Sequence, residues 1–564
     1  MRKQKVLSMF VGLSLAFSFM LAASPQASAK DSIKASGNLI KVTTSADFQQ
    51  GTLSNVEIDK SIGNGALKLK AGVKDGTFTS AVYSVAAFQL LVASWNCDAP
   101  EDTYIEVYAK AYVNSKSAWT NWLSWGKWSP YIKRSCAEYP DNSDNLAIVD
   151  VDTFTVRGQA EDFGSKVQLK VVLHSDNGSA TPVLRQLAAT YTNTQKGEVI
   201  KPVYAEKRVS EPSHVLLDTP AYSQDRRESD ISNSICSPTT ITTLLNDRGE
   251  DLLPEEVALN NYDFTYQGFG NWSFSVASAG EYGYESYVQY ADMDILREEL
   301  AKGYSVGISV SYSNDKSSTD YVKDAPITTT GHLITVRGYE TVNGVDYFDV
   351  SDSAVSSDKA ALRRYRADQL DVAWKNRIAY IVHDKEANAG EYAPQRYRAE
   401  LRETKTGSNN YQLFVDGKQI NLKNDFIYKS MTDSGAGIVA CCLNDSVLPA
   451  VAKPTVTTMA NKEFDYNVNM TGEGYIHLDP KLIFSNVKSA EKSITVFVIT
   501  NAGKIYVAPL GNNSVAAMAT VSNISNEKGR PAPLIFIIVV VCVLILGGAG
   551  ALVLLKKRKI RSTK

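Results

Sequence analysis

From residue 35 to residue 195 apolar and polar positions alternate in short runs separated by turn residues, as in Ala66-Leu67-Lys68-Leu69-Lys70, Tyr104-Ile105-Glu106-Val107-Tyr108-Ala109, Phe154-Thr155-Val156 and Val167-Gln168-Leu169-Lys170-Val171-Val172-Leu173. Successive side chains of a strand point to opposite faces, so this period of two predicts strands, and their close spacing predicts an antiparallel β-sandwich. A polar stretch with Lys196, Gly197, Lys201, Pro202 and Lys207 then reads as a linker. From 213 to 386 the pattern changes. Ile241, Leu244 and Leu245 share one helical face, and the run Leu333 to Tyr339 reads as a strand leading to a turn at Asn343-Gly344. From 392 to 521 strands return, with Asp416-Gly417 turning Tyr411–Val415 into Gln419–Leu422, and with Ser493–Ile499 and Lys504–Val507 on either side of another turn. This is a third, β-rich domain.

The two ends carry a different pattern. Arg2, Lys3 and Lys5 precede an apolar run from Val6 to Ala23 and the small residues Ala27-Ser28-Ala29, so residues 1–29 are expected to be a secretory signal peptide. Residues 534–555 are unbroken and apolar. At ~1.5 Å per residue they are long enough to cross a hydrocarbon core of roughly 30 Å, and Lys556, Lys557, Arg558, Lys559 and Arg561 in the 556–564 tail keep that side in the cytoplasm. Residues 522–533 form a polar stalk. Its Gly529-Arg530-Pro531-Ala532-Pro533 departs from an LPxTG-like sorting pentapeptide, which favours retention by the helix itself. The expectation is a single-pass protein of the cell membrane with an extracellular body.

A formal net charge of −2 gives no basic footprint for nucleic acid. No CxxC pair and no HExxH helix occurs, so no metal site is expected. Cys97 and Cys136 fall in one region where a disulfide is left open, whereas Cys236 has no obvious partner and suits a thiol kept for chemistry. The cluster Trp119, Trp122, Trp125 and Trp128 admits two roles, sandwich core or a surface that stacks on sugars or wall polymers, and the core is favoured. Asp150 and Asp152, two apart on a strand, are expected to point the same way without forming a calcium site.

The chemistry concentrates in the middle domain. Cys236 opens the run Cys236-Ser237-Pro238-Thr239, and Pro238 suits a first helical turn, so the thiol sits where the partial positive charge of a helix start favours the thiolate. His332 starts a strand that turns at Asn343-Gly344 into Val345–Val350. Pairing about that turn sums residue numbers to roughly 687 and sets His332 across from about residue 355, one diagonal step from Asp352. A bulge would close the gap and let Asp352 orient the imidazole, with Asp349 as the rival. Gln224 supplies an amide N–H that, with the Cys236 backbone N–H, makes a candidate oxyanion hole.

The segments Pro220-Ala221-Tyr222-Ser223-Gln224, Cys236-Ser237-Pro238-Thr239, Gly331-His332-Leu333 and Ser351-Asp352-Ser353 resemble the C39-like branch of papain-fold cysteine peptidases, over about Val215 to His383. That family ends its last strand in Asn-Asp-Pro, so the Asp is kept and its neighbours differ. The resemblance, which extends to Leu296–Gly303 as a helix before a core strand Val306–Val310, implies an α+β papain-like fold and cofactor-free hydrolysis in which Cys236 attacks, His332 shuttles the proton, Asp352 holds His332 and Gln224 stabilises the oxyanion. The implied substrate is a peptide or protein at the cell surface. Rival readings are a cell-wall amidase or acyltransferase on the same fold, with wall polymer held by the N-terminal β-domain, and a non-catalytic adhesin.

Overall fold

The computed structural model describes residues 32–35, 37–132, 134–137, 142–159, 161–193, 211–227 and 231–421, and beyond these the strand segments 431–433, 438–443, 468–470, 475–478, 493–500 and 505–511. The signal peptide, the stalk, the membrane helix and the basic tail expected at the two ends lie outside the described residues. Among the described residues no helix is long and apolar enough to cross a membrane.

The first region folds into an eight-stranded and a seven-stranded sheet. Their inward positions, among them Phe78, Val107 and Leu169 from one sheet and Leu67, Trp95 and Leu187 from the other, share a single core. Alternation is clean on Thr103–Val113, where every second residue is buried, as expected of a sheet with one wet face. The strands Leu90–Asp98 and Val183–Thr192 behave differently, for nearly every position on both is buried. Both of their faces are covered. Leu91, Ala93, Trp95 and Cys97 face the sandwich core, while Val92 packs into the core of the middle domain.

The middle domain is built on a seven-stranded sheet in the order Tyr284–Tyr290, Ile378–Lys385, Val306–Tyr312, Thr329–Val342, Val345–Ser351, Leu362–Arg366, with His214–Leu216 beside Thr329–Val342. Helices cover both faces. Ile241, Leu244 and Leu245 of the Cys236–Asp247 helix and Val276 and Ala279 of the Trp272–Glu281 helix pack with Val288, Leu333 and Tyr380. On the other side Ile295, Leu296 and Leu300 of Met293–Lys302 and Leu370 of Ala367–Ala373 pack with Ile308, Val310 and Ile334. Neighbouring residues of the His332 strand therefore serve opposite cores, Leu333 one and Ile334 the other, which holds that strand from both sides. The third region is a nine-stranded sheet, with Arg396–Glu403 paired to Asn410–Val415 and Ser493–Thr500 paired antiparallel to Ile505–Gly511.

The sandwich and the middle domain are joined by polar groups. Asn96 Nδ2 donates to the Ser286 carbonyl at 2.7 Å while its Oδ1 accepts from the Ser286 N–H at 3.1 Å, Gln186 Nε2 donates to the same carbonyl at 2.8 Å, and Ser273 Oγ donates to the Ala93 carbonyl at 2.7 Å. Asp152 caps the start of the Trp272–Glu281 helix by accepting from the Trp272 N–H at 2.7 Å. Asp150 is exposed and Asp152 buried, so the pair does not share a face. The strand ends at Asp150, and Val151 turns the chain with a φ of 55°.

Cys97 and Cys136 are free thiols. Cys97 points into the sandwich core, whereas Cys136 is drawn to the middle domain, its N–H donating to Asp263 Oδ1 at 3.1 Å. The tryptophans divide. Trp125 and Trp128 are core residues, but Trp119 and Trp122 are only half-buried.

Gly280 lets the Trp272–Glu281 helix lie against the sandwich, for a Cβ there would stand 2.6 Å from Asn96 Nδ2 and 2.9 Å from Asn96 Cα. Gly280→Ala is expected to break the Asn96–Ser286 pairing and cost about 1–3 kcal/mol, read as a lowered urea midpoint for unfolding.

Candidate active site

Cys236 is the first residue of its helix, and Pro238 lies within the first turn. No side chain caps this end. The sulfur instead accepts from the Ser237 N–H, and also from the Leu333 N–H of the neighbouring strand. The helix carries four threonines that have little intrinsic preference for it, and all four are buried. Thr242 and Thr243 return their hydroxyls to the carbonyls of Pro238 and Thr239 at 2.9 and 3.1 Å, satisfying groups that have no water to turn to. From beneath, Ser237 Oγ lies 2.8 Å from Ser275 Oγ and 2.9 Å from the Tyr380 hydroxyl, tying the helix start to the Trp272–Glu281 helix and to the sheet.

His332 stands opposite Val310 in the sheet and is 3% exposed. Its hairpin partner follows the expected register from Val342↔Val345 to Gly338↔Asp349, pairs that sum to 687. A bulge at Arg337 then shifts the sum to 686 at Val336↔Val350 and Thr335↔Ser351. The turn residues Asn343 and Gly344 have φ of 51° and 77°, the left-handed values of a tight hairpin. Extended past Ser351, the shifted register sets Asp352 across from Ile334, diagonal to His332 on one face, and His332 Nε2 lies 2.9 Å from Asp352 Oδ1. Asp349, the rival, is engaged with Arg364 at 3.0 and 3.2 Å.

With Nε2 committed to Asp352, the other imidazole nitrogen, Nδ1, is left for the Cys236 sulfur, with which His332 makes a side-chain hydrogen bond. Asp352 is fully buried, and every hydrogen bond at its carboxylate is a donation to it. Besides His332, the Tyr312 and Tyr365 hydroxyls donate to Oδ2 at 2.6 and 2.8 Å, and the Ala354 N–H reaches Oδ1 at 3.3 Å. Burial opposes the charge, yet His332 and the two tyrosines hold the carboxyl below its ordinary range. Burial likewise disfavours imidazolium, but the Asp352 charge and hydrogen bond, with Cys236 adding to them, lift His332 to about 10. Burial pushes the Cys236 thiol up, and the His332 hydrogen bond and charge, together with the two backbone N–H groups, pull it below the usual thiol value. The three groups form one chain of alternating charge: thiolate, imidazolium, carboxylate.

Gln224 comes to the same place through Ser353, the residue after Asp352. Its backbone N–H donates to the Ser353 carbonyl at 2.8 Å and its Oε1 accepts from Ser353 Oγ at 2.7 Å. Its Nε2 donates to the Ser232 carbonyl at 2.8 Å, four residues before Cys236, so one of the two amide hydrogens is spent on positioning. Asp225, next in the chain, is exposed, and its charge interacts with His332 and Asp352.

All four residues singled out in the sequence are thus gathered at one locus. Tyr312 and Tyr365 as donors to Asp352, Ser353 as the anchor of Gln224, and the Ser237–Ser275–Tyr380 group had no signature of their own, since serine and tyrosine at such positions are ordinary. The replacement of Asn-Asp-Pro by Ser351-Asp352-Ser353 was the one available hint. Among the described residues no group of three or more His, Cys, Asp or Glu side chains is arranged to hold a metal ion.

Residues 38–192 match the family model described as the peptidase C39 N-terminal domain, and residues 216–380 match the peptidase C39-like family. No curated protein matches the chain. Among solved structures, the digestive procathepsin L 3 of the Tenebrio molitor larval midgut is similar at 13% identity, over 32% of this chain and 73% of that one, with a TM-score of 0.25. The procathepsin L2 from the same tissue is similar at 16% identity over 34% and 72%, with a TM-score of 0.22. A structure from work on the mite allergens Blo t 1 and Der p 1 follows at 14% identity over 33% and 76%, with a TM-score of 0.23. The assignment rests on the two matched regions, through which the chain belongs to the C39-like peptidase family.

Proposed function

We propose that this protein is an extracellular, membrane-anchored cysteine peptidase that hydrolyses peptide bonds through a thioacyl-enzyme. The reading is carried by the hydrogen-bonded series from Cys236 through His332 to Asp352, in which the thiol is more acidic and the imidazole more basic than either is in water. A buried site gains little stability from such a pair, since desolvation opposes both charges, so its retention fits chemistry better than packing.

The Cys236 thiolate attacks the scissile carbonyl carbon, and the carbonyl π-pair moves onto oxygen. The Cys236 backbone N–H and the second hydrogen of Gln224 Nε2 stabilise that oxyanion. As it collapses, the C–N bond breaks and the His332 proton passes to the departing amine. His332, now neutral, takes a proton from water, whose oxygen attacks the thioester and releases the acid and the Cys236 thiolate. Asp352 holds the ring throughout and balances its charge. Display outside the cell rests on the signal peptide and the 534–555 helix read in the sequence.

The lowered thiol and the raised imidazole set a pH window. Thiolate persists to below the ordinary thiol range, and imidazolium persists until about pH 10. Cleavage of a casein-like protein, followed as new amines, is expected to be flat between these limits. It falls on the acid side as the thiolate gains a proton and on the alkaline side as His332 loses one. Cys236→Ala should leave no activity. At pH near 6 an iodoacetamide probe should label Cys236 faster than free cysteine, and His332→Ala should remove the difference. Equal labelling of the unaltered protein and free cysteine would overturn the peptidase reading.

Asp352→Asn is not conservative here, because every contact at the carboxylate is a donation and an amide NH₂ would oppose at least one donor. A fall in kcat/KM on the order of 10²–10⁴ is expected, with the alkaline limb moved to lower pH as the imidazolium loses its countercharge.

A further inference from the structure

The outer face of the eight-stranded sheet carries a second organised surface. On the Thr103–Val113 strand the inward residues Ile105, Val107, Ala109 and Ala111 are buried, and Tyr104, Glu106, Tyr108, Lys110 and Tyr112 alternate with them on the outside. The Gly164–Ser175 strand sets Lys170 opposite Tyr108 and Lys166 opposite Tyr112. Trp119 and Trp122, half-buried, adjoin this face.

The lysines lie on the rings. Lys110 Nζ is 4.8 Å from the ring centroids of both Trp119 and Trp122, Lys170 Nζ is 4.0 Å from Tyr108 and 4.9 Å from Trp122, and Lys166 Nζ is 5.5 Å from Tyr112. At one end Lys127 Nζ lies 4.7 Å from Tyr104. Against these four ammonium groups the outward positions of Thr103–Val113, Gly164–Ser175 and the adjoining Leu123–Trp128 strand offer one carboxylate, Glu106, which already accepts from Ser124 Oγ at 2.6 Å. His174, also on these positions, is held between Asp75 and Asp176 at 2.6 and 2.9 Å. Burial lowers the basicity of Lys110 and Lys170, as expected of ammonium ions short of water. A chain of net charge −2 thus concentrates a partly desolvated positive surplus on one flat aromatic face.

We propose that this face binds an anionic polysaccharide, its carboxylate or phosphate groups meeting Lys110, Lys166 and Lys170 and its sugar hydroxyls meeting the edges of Trp119 and Trp122. A flat sheet face suits an extended polymer better than a small molecule, which needs a concave site. An ammonium ion lies on a π-face of Trp119, Trp122, Tyr108 and Tyr112, where a nucleobase would stack, so the face suits a hydroxylated chain that meets the rings at their edges. The charge surplus selects an acidic chain over a neutral one.

The test measures binding of the full-length protein, held in neutral lipid nanodiscs that already accommodate its 534–555 segment, to a uronic-acid polymer, a phosphodiester-linked glycan, a neutral glucan of similar length, a single-stranded oligonucleotide and anionic vesicles. Binding to at least one acidic glycan, weakened by salt and stronger than to the other three, is expected, and the better of the two glycans identifies the anion. Lys110→Gln with Lys170→Gln should weaken it on the order of tenfold, as should Trp122→Ala, while peptide cleavage is unchanged. Lys166→Gln, at a more peripheral position, supplies a milder loss if the double variant folds poorly. Equal binding of the neutral glucan, tighter binding of oligonucleotide or vesicles, or no loss in folded variants would overturn the proposal.

Discussion

A carboxylate with almost no access to water is the constraint around which the middle domain is organised. Ionised Asp352 would be costly in a dry interior, and the fold meets that cost by turning donors toward it from three directions: Tyr312 from one strand, Tyr365 from another, and His332 from the strand between. Tyr312 and His332 sit on strands buried on both faces of the sheet, which sets their register, and Tyr365 is the one buried residue of the edge strand Leu362–Arg366. A slip of one residue would move His332 and Leu333 to each other's faces and leave the carboxylate unpaired. The core and the site are therefore one structure, in which apolar packing sets the register and the register sets the charges.

The same economy links Asp352 to the oxyanion side of the site. Ser353 follows it in the chain and holds Gln224 by both backbone and side chain, so the group that orients the imidazole and the group aimed at the substrate carbonyl hang from adjacent residues. Where the family pattern has proline, which has no hydroxyl, this chain has serine, and the hydroxyl is what reaches Gln224 Oε1. The Ser237, Ser275 and Tyr380 hydroxyls do comparable work beneath Cys236.

The sandwich is more than an appended module. Its strands Leu90–Asp98 and Val183–Thr192 are buried on both faces because the middle domain covers their outer side: the helix Trp272–Glu281 packs on the first and the strand Tyr284–Tyr290 meets both. That helix also carries Ser275, which touches the start of the nucleophile helix. Sandwich packing thus reaches Cys236 through one intervening element. The opposite sheet of the sandwich remains open and carries the lysine and aromatic face.

Much of this was legible in the sequence wherever a local rule governs. Alternation marked the sandwich strands, Asn343-Gly344 marked the hairpin because only a left-handed turn suits its twist, and Pro238 marked a helix start for Cys236 because the missing N–H costs nothing there. Counting along that hairpin brought Asp352 to within one step of His332. Tertiary structure decided what depends on partners distant in the chain. The bulge at Arg337 completed the register, four donations made Asp352 acceptor-only, and the competing Asp263 drew Cys136 away from Cys97. Likewise, Trp125 and Trp128, an odd number of residues apart, both face the core because the strand bulges between Ser124 and Lys127, whereas Trp119 lies opposite the outward Tyr112. Periodicity reports which face a residue prefers, but what stands on that face is fixed only when the other strands arrive.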